Sequence, residues 1–111
     1  MDKSGGIIEE TMRINGQKKE GDLGTLDVFD PFTNEVIGKV PRASESQVTG
    51  AFTLANEFKP QLTRYERQKI LSRTAQAISD QKDKISDLIT AECGLSKKDS
   101  LYEVGRSFDV F

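Results

Sequence analysis

The chain has 111 residues, 35% hydrophobic and 31% charged, with a net charge of −2. This length suffices for one small domain and is too short for two. A weakly negative charge with scattered Lys and Arg excludes a basic nucleic-acid-binding surface. The absence of His excludes Cys–His, Ser–His and His–metal sites built from this chain alone.

The sequence shows no signal for disulfide formation, secretion or membrane insertion. Cys93 is the only cysteine, so no intramolecular disulfide can form. The N-terminus has no apolar run long enough for a signal peptide, and no run approaches the ~20 apolar residues of a membrane span. We therefore expect a cytoplasmic protein with no membrane contact.

The first part of the chain predicts short strands. Residues 1–10 are polar and contain a Gly-Gly pair, which predicts a mobile N-terminal arm. Apolar and polar residues alternate from 12 to 15, which predicts a strand, and Asn15-Gly16 is a turn signal. Residues 17–24 are polar and contain glycine, which predicts a loop.

Two further strands are predicted around a proline-containing turn. Leu26 and Val28 alternate with unlike neighbours, and Pro31 ends that strand because proline cannot continue a ladder. Alternation resumes over residues 36–40 and stops at Pro41. Because the connections are short, we expect antiparallel pairing.

From residue 44 the apolar period becomes helical. Ser44 with Gln47 matches a capping box and predicts a helix that ends before Pro60. Thr63 with Glu66 matches a second capping box.

The second box predicts one long helix from about residue 64 to about residue 92, with Gly94 as the residue that stops it. Ser96 with Asp99 begins a third helix, and its apolar face comprises Leu101, Val104, Phe108 and Phe111. The predicted fold class is therefore α+β, with three short antiparallel strands followed by three helices.

Three stretches resemble the amino-terminal portion of the aldehyde dehydrogenase superfamily. Residues 30–41 read Asp-Pro-Phe-Thr-Asn-Glu-Val-Ile-Gly-Lys-Val-Pro, and residues 63–71 and 92–106 follow at helix-compatible distances. The resemblance spans residues 12–111. It implies that residues 11–111 are the truncated N-terminal part of the α/β cofactor-binding domain of a protein several times longer.

The resemblance implies a complete protein that oxidises an aldehyde to a carboxylate with NAD or NADP.

 The complete protein is expected to form a homo-oligomer and to act on a small aldehyde, and the partner of this chain is the remainder of its own polypeptide. The catalytic and cofactor-binding residues of the family lie beyond residue 111, so the chain alone is expected to be inactive and to bind no cofactor. Neither a GxGxxG nor a GxxxxGK[ST] pattern is present.

Cys93 is not the counterpart of the family's cysteine nucleophile, which lies in a much later segment. It stands near a predicted helix C-terminus, where the helix dipole disfavours a thiolate. We interpret it as a structural thiol.

The family pattern also implies one metal site. Many members hold a monovalent cation with backbone carbonyls beside the Asp-Pro turn and with an acidic side chain before the helix-ending glycine. The matching positions are Val28, Phe29 and Glu92, although Glu92 stands where the family usually has Asp. Oxygen ligands suit such a hard ion.

Two further positions predict special backbone geometry, Asn34 by comparison with the family pattern and Gly38 by its place within a strand. Asn34 stands where the family usually has a turn glycine, and Asn tolerates the left-handed conformation better than most residues. Gly38 within a strand predicts a close backbone approach or a bulge.

Within the superfamily, the second half is most similar to phosphonoacetaldehyde dehydrogenases. The residues that carry this similarity are 62–68, 85–90 and 94–106. It implies phosphonoacetaldehyde as substrate and a role in phosphonate metabolism. The alternative hypothesis is a stand-alone helical interaction module that binds a protein partner through its apolar third helix.

Overall fold

A computed structural model describes residues 6–111 and divides the chain into two compact units, with the boundary after Lys59. We call residues 6–59 the N-terminal unit and residues 60–111 the C-terminal unit. No helix among the described residues is long and apolar enough to cross a membrane.

The described part of the N-terminal unit contains five strands and one helix. They are β1 Ile8–Glu9, β2 Met12–Ile14, β3 Gln17–Lys19, β4 Thr25–Phe29, β5 Val36–Pro41 and α1 Glu45–Glu57. β5 lies between β1 and β4, parallel to β1 and antiparallel to β4, while β2 and β3 form a separate antiparallel pair. The α+β fold class and the antiparallel pairing of β4 with β5 are thus confirmed. The prediction of three antiparallel strands is wrong in number and in part in direction, because the described residues form five strands and β1 pairs with β5 in parallel.

Two further predictions for this unit differ from the structure. The loop predicted over residues 17–24 is wrong at its start, because Gln17–Lys19 is strand β3. Asn15 and Gly16 both have positive φ, 51° and 73°, as the tight turns of β-hairpins require, so both flanking segments continue as paired strands. Within the predicted arm, Ile8–Glu9 is strand β1, which sequence alternation did not reveal. Residues 1–5 lie outside the described part, and the mobility of the arm stays a prediction.

Gly38 shows both features predicted for it. It is buried, and a Cβ there would lie 3.2 Å from the carbonyl oxygen of Ile8. The pairing of β4 with β5 also shifts beside it, because Val28 pairs with Gly38 whereas Phe29 pairs with Val36. Glycine therefore allows β1 to approach β5 next to a bulge.

The N-terminus of α1 holds the loop that precedes β4. The predicted capping box of Ser44 and Gln47 is present. Gln47 Oε1 also accepts a hydrogen bond from the Asp22 amide (3.0 Å), and Nε2 donates to the Glu20 carbonyl (2.8 Å). One side chain thus satisfies backbone groups of a helix and of a loop. We call this arrangement the Gln47 clamp.

The C-terminal unit contains the helices α2 Arg64–Asp80, α3 Lys82–Cys93 and α4 Lys97–Val110. The single long helix predicted for residues 64–92 is therefore wrong, because it breaks at Gln81 (φ −107°, ψ 15°). The amide of Gln81 bonds to the Ile78 carbonyl, one residue short of the α-helical pattern. α4 packs against both α2 and α3, and the break allows each of them to face it.

The helix ends follow the predictions. Thr63 and Glu66 form the second capping box, Ser96 caps α4, and Gly94 stops α3 with a φ of 73°. The amide and the hydroxyl of Thr63 donate to Glu66 and lower the pKa of its carboxyl. Hydrogen bonds to a carboxylate favour its charged form.

Candidate functional site

The backbone carbonyls predicted to bind a cation lie at the end of β4. Val28 is half-buried and Phe29 is exposed, and the register shift falls between them. A bulge locally disrupts the ladder of hydrogen bonds. This part of the backbone is therefore less regularly paired than the rest of β4.

The turn after β4 is held by Asp30. Its Oδ1 accepts hydrogen bonds from the amides of Phe32 (2.7 Å) and Thr33 (3.1 Å), and its carbonyl accepts one from Asn34 (2.8 Å). Asn34 has a φ of 59°. The left-handed turn predicted at this asparagine is confirmed.

Glu92, the third predicted ligand, is exposed in the last turn of α3. It belongs to the C-terminal unit, whereas Val28 and Phe29 belong to the N-terminal unit. The cation site stays a prediction.

Cys93 is exposed at the C-terminal end of α3. Its Sγ donates a hydrogen bond to the carbonyl of Ile89 at 3.0 Å, four residues earlier in the same helix. The thiol is thus a hydrogen-bond donor at the negative end of a helix, an environment that does not activate a nucleophile. Over residues 6–111, no group of three or more His, Cys, Asp or Glu side chains is placed to hold a metal ion.

Sequence reasoning missed a buried hydroxyl cluster between α3 and α4. The side chains of Ser86 and Ser100 are fully buried, with their oxygens 2.6 Å apart. Thr90 donates to Ser100 (3.2 Å), and Ser100 donates to the Lys97 carbonyl (3.1 Å). Since Ser100 has only one proton to donate, Ser86 must donate to it.

This cluster could have been suspected from Ser86 and Ser100, which stand beside the apolar residues Ile85 and Leu101. Small side chains at both positions allow the two helices to approach closely. No His is available in the chain as a base, so the hydroxyls are not activated for nucleophilic chemistry. The cluster is a packing feature.

The apolar face predicted for the third helix is present on α4. Val104 is buried and Leu101 is half-buried, whereas Phe108 and Phe111 are exposed. A groove of about 440 Å³ lies along this face, between Leu101, Gly105 and Phe108 on α4 and Ser79 and Lys82 at the α2–α3 junction.

Comparison with known proteins identifies the family. The model of the aldehyde dehydrogenase family matches residues 18–111. Lactaldehyde dehydrogenase of Methanococcus aeolicus is 32% identical over 89 residues, which cover 78% of this chain and 19% of that protein. The D-glyceraldehyde dehydrogenase (NADP(+)) of Picrophilus torridus is 33% identical over 94 residues, covering 81% of this chain and 19% of that protein.

A solved structure agrees with these relatives. Aldehyde dehydrogenase 21 of Physcomitrella patens, in complex with the reaction product succinate, matches with a TM-score of 0.86 and 27% identity. The match covers 94% of this chain and 22% of that protein. The chain therefore spans about one fifth of the length of these proteins. It belongs to the aldehyde dehydrogenase family.

Proposed function

We propose that this chain is the N-terminal part of a longer enzyme that oxidises an aldehyde to a carboxylate with NAD or NADP. The observation that carries the proposal is the family match over residues 18–111 in a chain that spans about one fifth of its relatives. The name of the Picrophilus relative specifies NADP(+). In this proposal the nucleophile and the dinucleotide site belong to the remaining polypeptide.

The proposed contribution of residues 6–111 is structural. The Gln47 clamp and the capping boxes bind backbone groups of the chain itself, and Cys93 bonds within its own helix. The purified 111-residue chain should therefore not reduce NAD or NADP with any aldehyde. Turnover that Cys93→Ala abolishes would contradict this assignment, and turnover that this variant retains would indicate a contaminant.

For the substrate we propose phosphonoacetaldehyde. The support is the similarity over residues 62–68, 85–90 and 94–106, because no substrate-binding residue is assigned to this chain. The relatives named above act, by their names, on lactaldehyde and D-glyceraldehyde, which makes small hydroxyaldehydes the competing substrates. A phosphonate would require arginines, lysines or helix N-termini in the pocket of the complete enzyme.

The test is to express the full reading frame and compare kcat/KM for phosphonoacetaldehyde, lactaldehyde and D-glyceraldehyde with each cofactor. Phosphonoacetaldehyde should have the highest value. A higher value for either hydroxyaldehyde would overturn the substrate proposal and leave the enzyme class intact. If the frame closes directly after Phe111, the alternative applies, a helical interaction module that uses the apolar face of α4.

We also propose that the complete enzyme binds a monovalent cation through the carbonyls of Val28 and Phe29 and the carboxylate of Glu92. Ligand binding to the folded state raises thermal stability. Potassium or sodium should therefore raise the Tm of the full-length protein relative to a large organic cation, and Glu92→Gln should remove this difference. Glu57→Gln, at an exposed glutamate near the end of α1, is the matched control. An unchanged cation effect in Glu92→Gln would refute the site.

A further inference from the structure

The turn between β2 and β3 combines a reactive dipeptide with a weak hairpin. The chain contains three asparagines, at positions 15, 34 and 56, and only Asn15 precedes a glycine. A glycine leaves its own amide nitrogen free of steric hindrance from a side chain. That nitrogen is the atom that can attack the neighbouring Asn side chain.

Asn15 borders a cavity of about 220 Å³ that α1 also lines, whereas Gly16 is open on the side where a Cβ would stand. Asn15 and Gly16 are both exposed, and no other described atom lies within 4 Å of the position of a Cβ at Gly16. At Asn34, by contrast, the next residue is Glu35, whose amide donates to Thr33 Oγ1 at 3.3 Å. Asn56 lies inside helix α1. The three sites thus differ in both sequence and freedom of the following amide.

The hairpin that contains Asn15 is short and belongs to no larger sheet among the described residues. It consists of three residues per strand. Two-stranded hairpins are at best marginally stable in water. Arg13 lies directly opposite Lys18, and both are exposed. Like charges at directly opposed positions destabilise an antiparallel pair.

We propose that Asn15 is a site of spontaneous deamidation and that opening of the β2–β3 hairpin controls its rate. In the open hairpin, the amide nitrogen of Gly16 attacks Cγ of Asn15. A nitrogen–carbon bond forms, the bond from Cγ to Nδ2 breaks, and the amide group leaves as ammonia with the proton from Gly16. Water then opens the cyclic imide to aspartate or isoaspartate, so the net reaction consumes one water and involves no oxidation.

The product alters the turn. Isoaspartate routes the main chain through Cβ and Cγ, so the backbone acquires an extra carbon where the hairpin requires two residues of positive φ. Either product adds one negative charge beside Arg13 and Lys18. A chain with isoaspartate at position 15 should therefore not form the β2–β3 hairpin in its original register.

The experiment is incubation of the intact chain at neutral pH, followed by proteolysis and mass spectrometry of the three Asn-containing peptides. The Asn15 peptide should gain the mass of an amide-to-acid conversion severalfold faster than the Asn34 and Asn56 peptides. Asn15→Gly, which retains a residue suited to positive φ, should remove the mass gain from this peptide. Equal rates at Asn15 and Asn34 would overturn the proposal.

A charge-reversal cycle tests whether opening of the hairpin controls the rate of deamidation at Asn15. Lys18→Glu and Arg13→Glu each create an opposite-charge pair and should slow deamidation of Asn15, whereas the double variant restores like charges and should restore the rate. Hydrogen exchange of the Ile14 and Gln17 amides, which belong to the hydrogen-bonded pair next to the turn, monitors opening in the same samples. Single variants that protect these amides without slowing deamidation would refute the link to opening.

Discussion

The two units use polar side chains differently. In the N-terminal unit the Gln47 clamp binds backbone groups of a loop and of a helix, and this glutamine is only half-buried. In the C-terminal unit the Thr63 and Ser96 side chains cap helices within three residues of themselves. Ser86 and Ser100 are buried and hydrogen-bonded to each other. The first unit should therefore be sensitive to changes in backbone contact, and the second to the loss of a buried hydrogen-bond partner.

The largest effect is expected at Gly21. A Cβ there would lie 2.6 Å from the backbone nitrogen of Arg42 and 2.7 Å from its carbonyl carbon. Backbone atoms cannot move aside as a flexible side chain can, so Gly21→Ala should lower the free energy of unfolding by about 3 kcal/mol. Gly50→Ala is the control, because no described atom lies within 4 Å of its Cβ position. That helical substitution should stabilise by roughly 0.5–1 kcal/mol, and denaturant unfolding measures both.

The second effect is expected in the buried hydroxyl cluster. Ser100→Ala leaves the hydroxyls of Ser86 and Thr90 without the acceptor they use. Losing a buried partner should destabilise the C-terminal unit by about 2 kcal/mol. Ser107→Ala, at an exposed position of α4, should change the unfolding free energy by less than about 0.5 kcal/mol. Equal effects of the two alanines would show that burial of the cluster contributes nothing.

A smaller effect is expected from breaking the Gln47 clamp. Gln47→Ala removes the acceptor of the Ser44 and Asp22 amides and the donor to the Glu20 carbonyl. These groups regain water in part, so we expect a loss of about 1–1.5 kcal/mol. Gln76→Ala is matched in residue type, and its only side-chain bond joins exposed groups within α2. Thermal unfolding that ranks the two variants equally would contradict the clamp.

The smallest effect is the pH dependence of the second capping box, in which Glu66 carries the charge. The pKa of Glu66 is lowered from 4.5 by hydrogen bonds from Thr63. Its stabilisation of α2 is therefore present above the unfolded-state pKa and is lost as the pH falls through the lower folded-state value. An NMR acid titration should show the Thr63 and Glu66 amides shifting together. The Ser44 and Gln47 amides, whose box includes a hydrogen bond from Ser44 Oγ to Asp22 Oδ2 (2.9 Å), should keep the same pH profile in Glu66→Gln as in the unchanged chain. Glu66→Gln should abolish the transition, and its persistence would assign it to another group.

Most local features could be predicted from the sequence because they depend on neighbouring residues. The capping boxes at Ser44 and Thr63, the left-handed turn at Asn34 and the helix stop at Gly94 each involve groups within about a turn of one another. The alternation of apolar and polar residues also predicted strands β4 and β5.

Features that depend on distant residues could not be predicted in this way. β1 is a two-residue strand that exists because Gly38 leaves room for Ile8. No glycine or proline stands near the break at Gln81, so the sequence did not predict it. The break accompanies the packing of α4 on both α2 and α3. Burial of Ser86 likewise depends on where α4 lies.

The sequence by itself determined the helix caps, the turns, the order of strands before helices and the family. Tertiary structure decided the partner of β1, the division of the long helix into α2 and α3, and the pairing of Ser86 with Ser100. The physical reason is the range of the interactions. Capping and turn formation are decided by hydrogen bonds between near neighbours, whereas strand partners and helix breaks depend on packing between segments far apart in the chain.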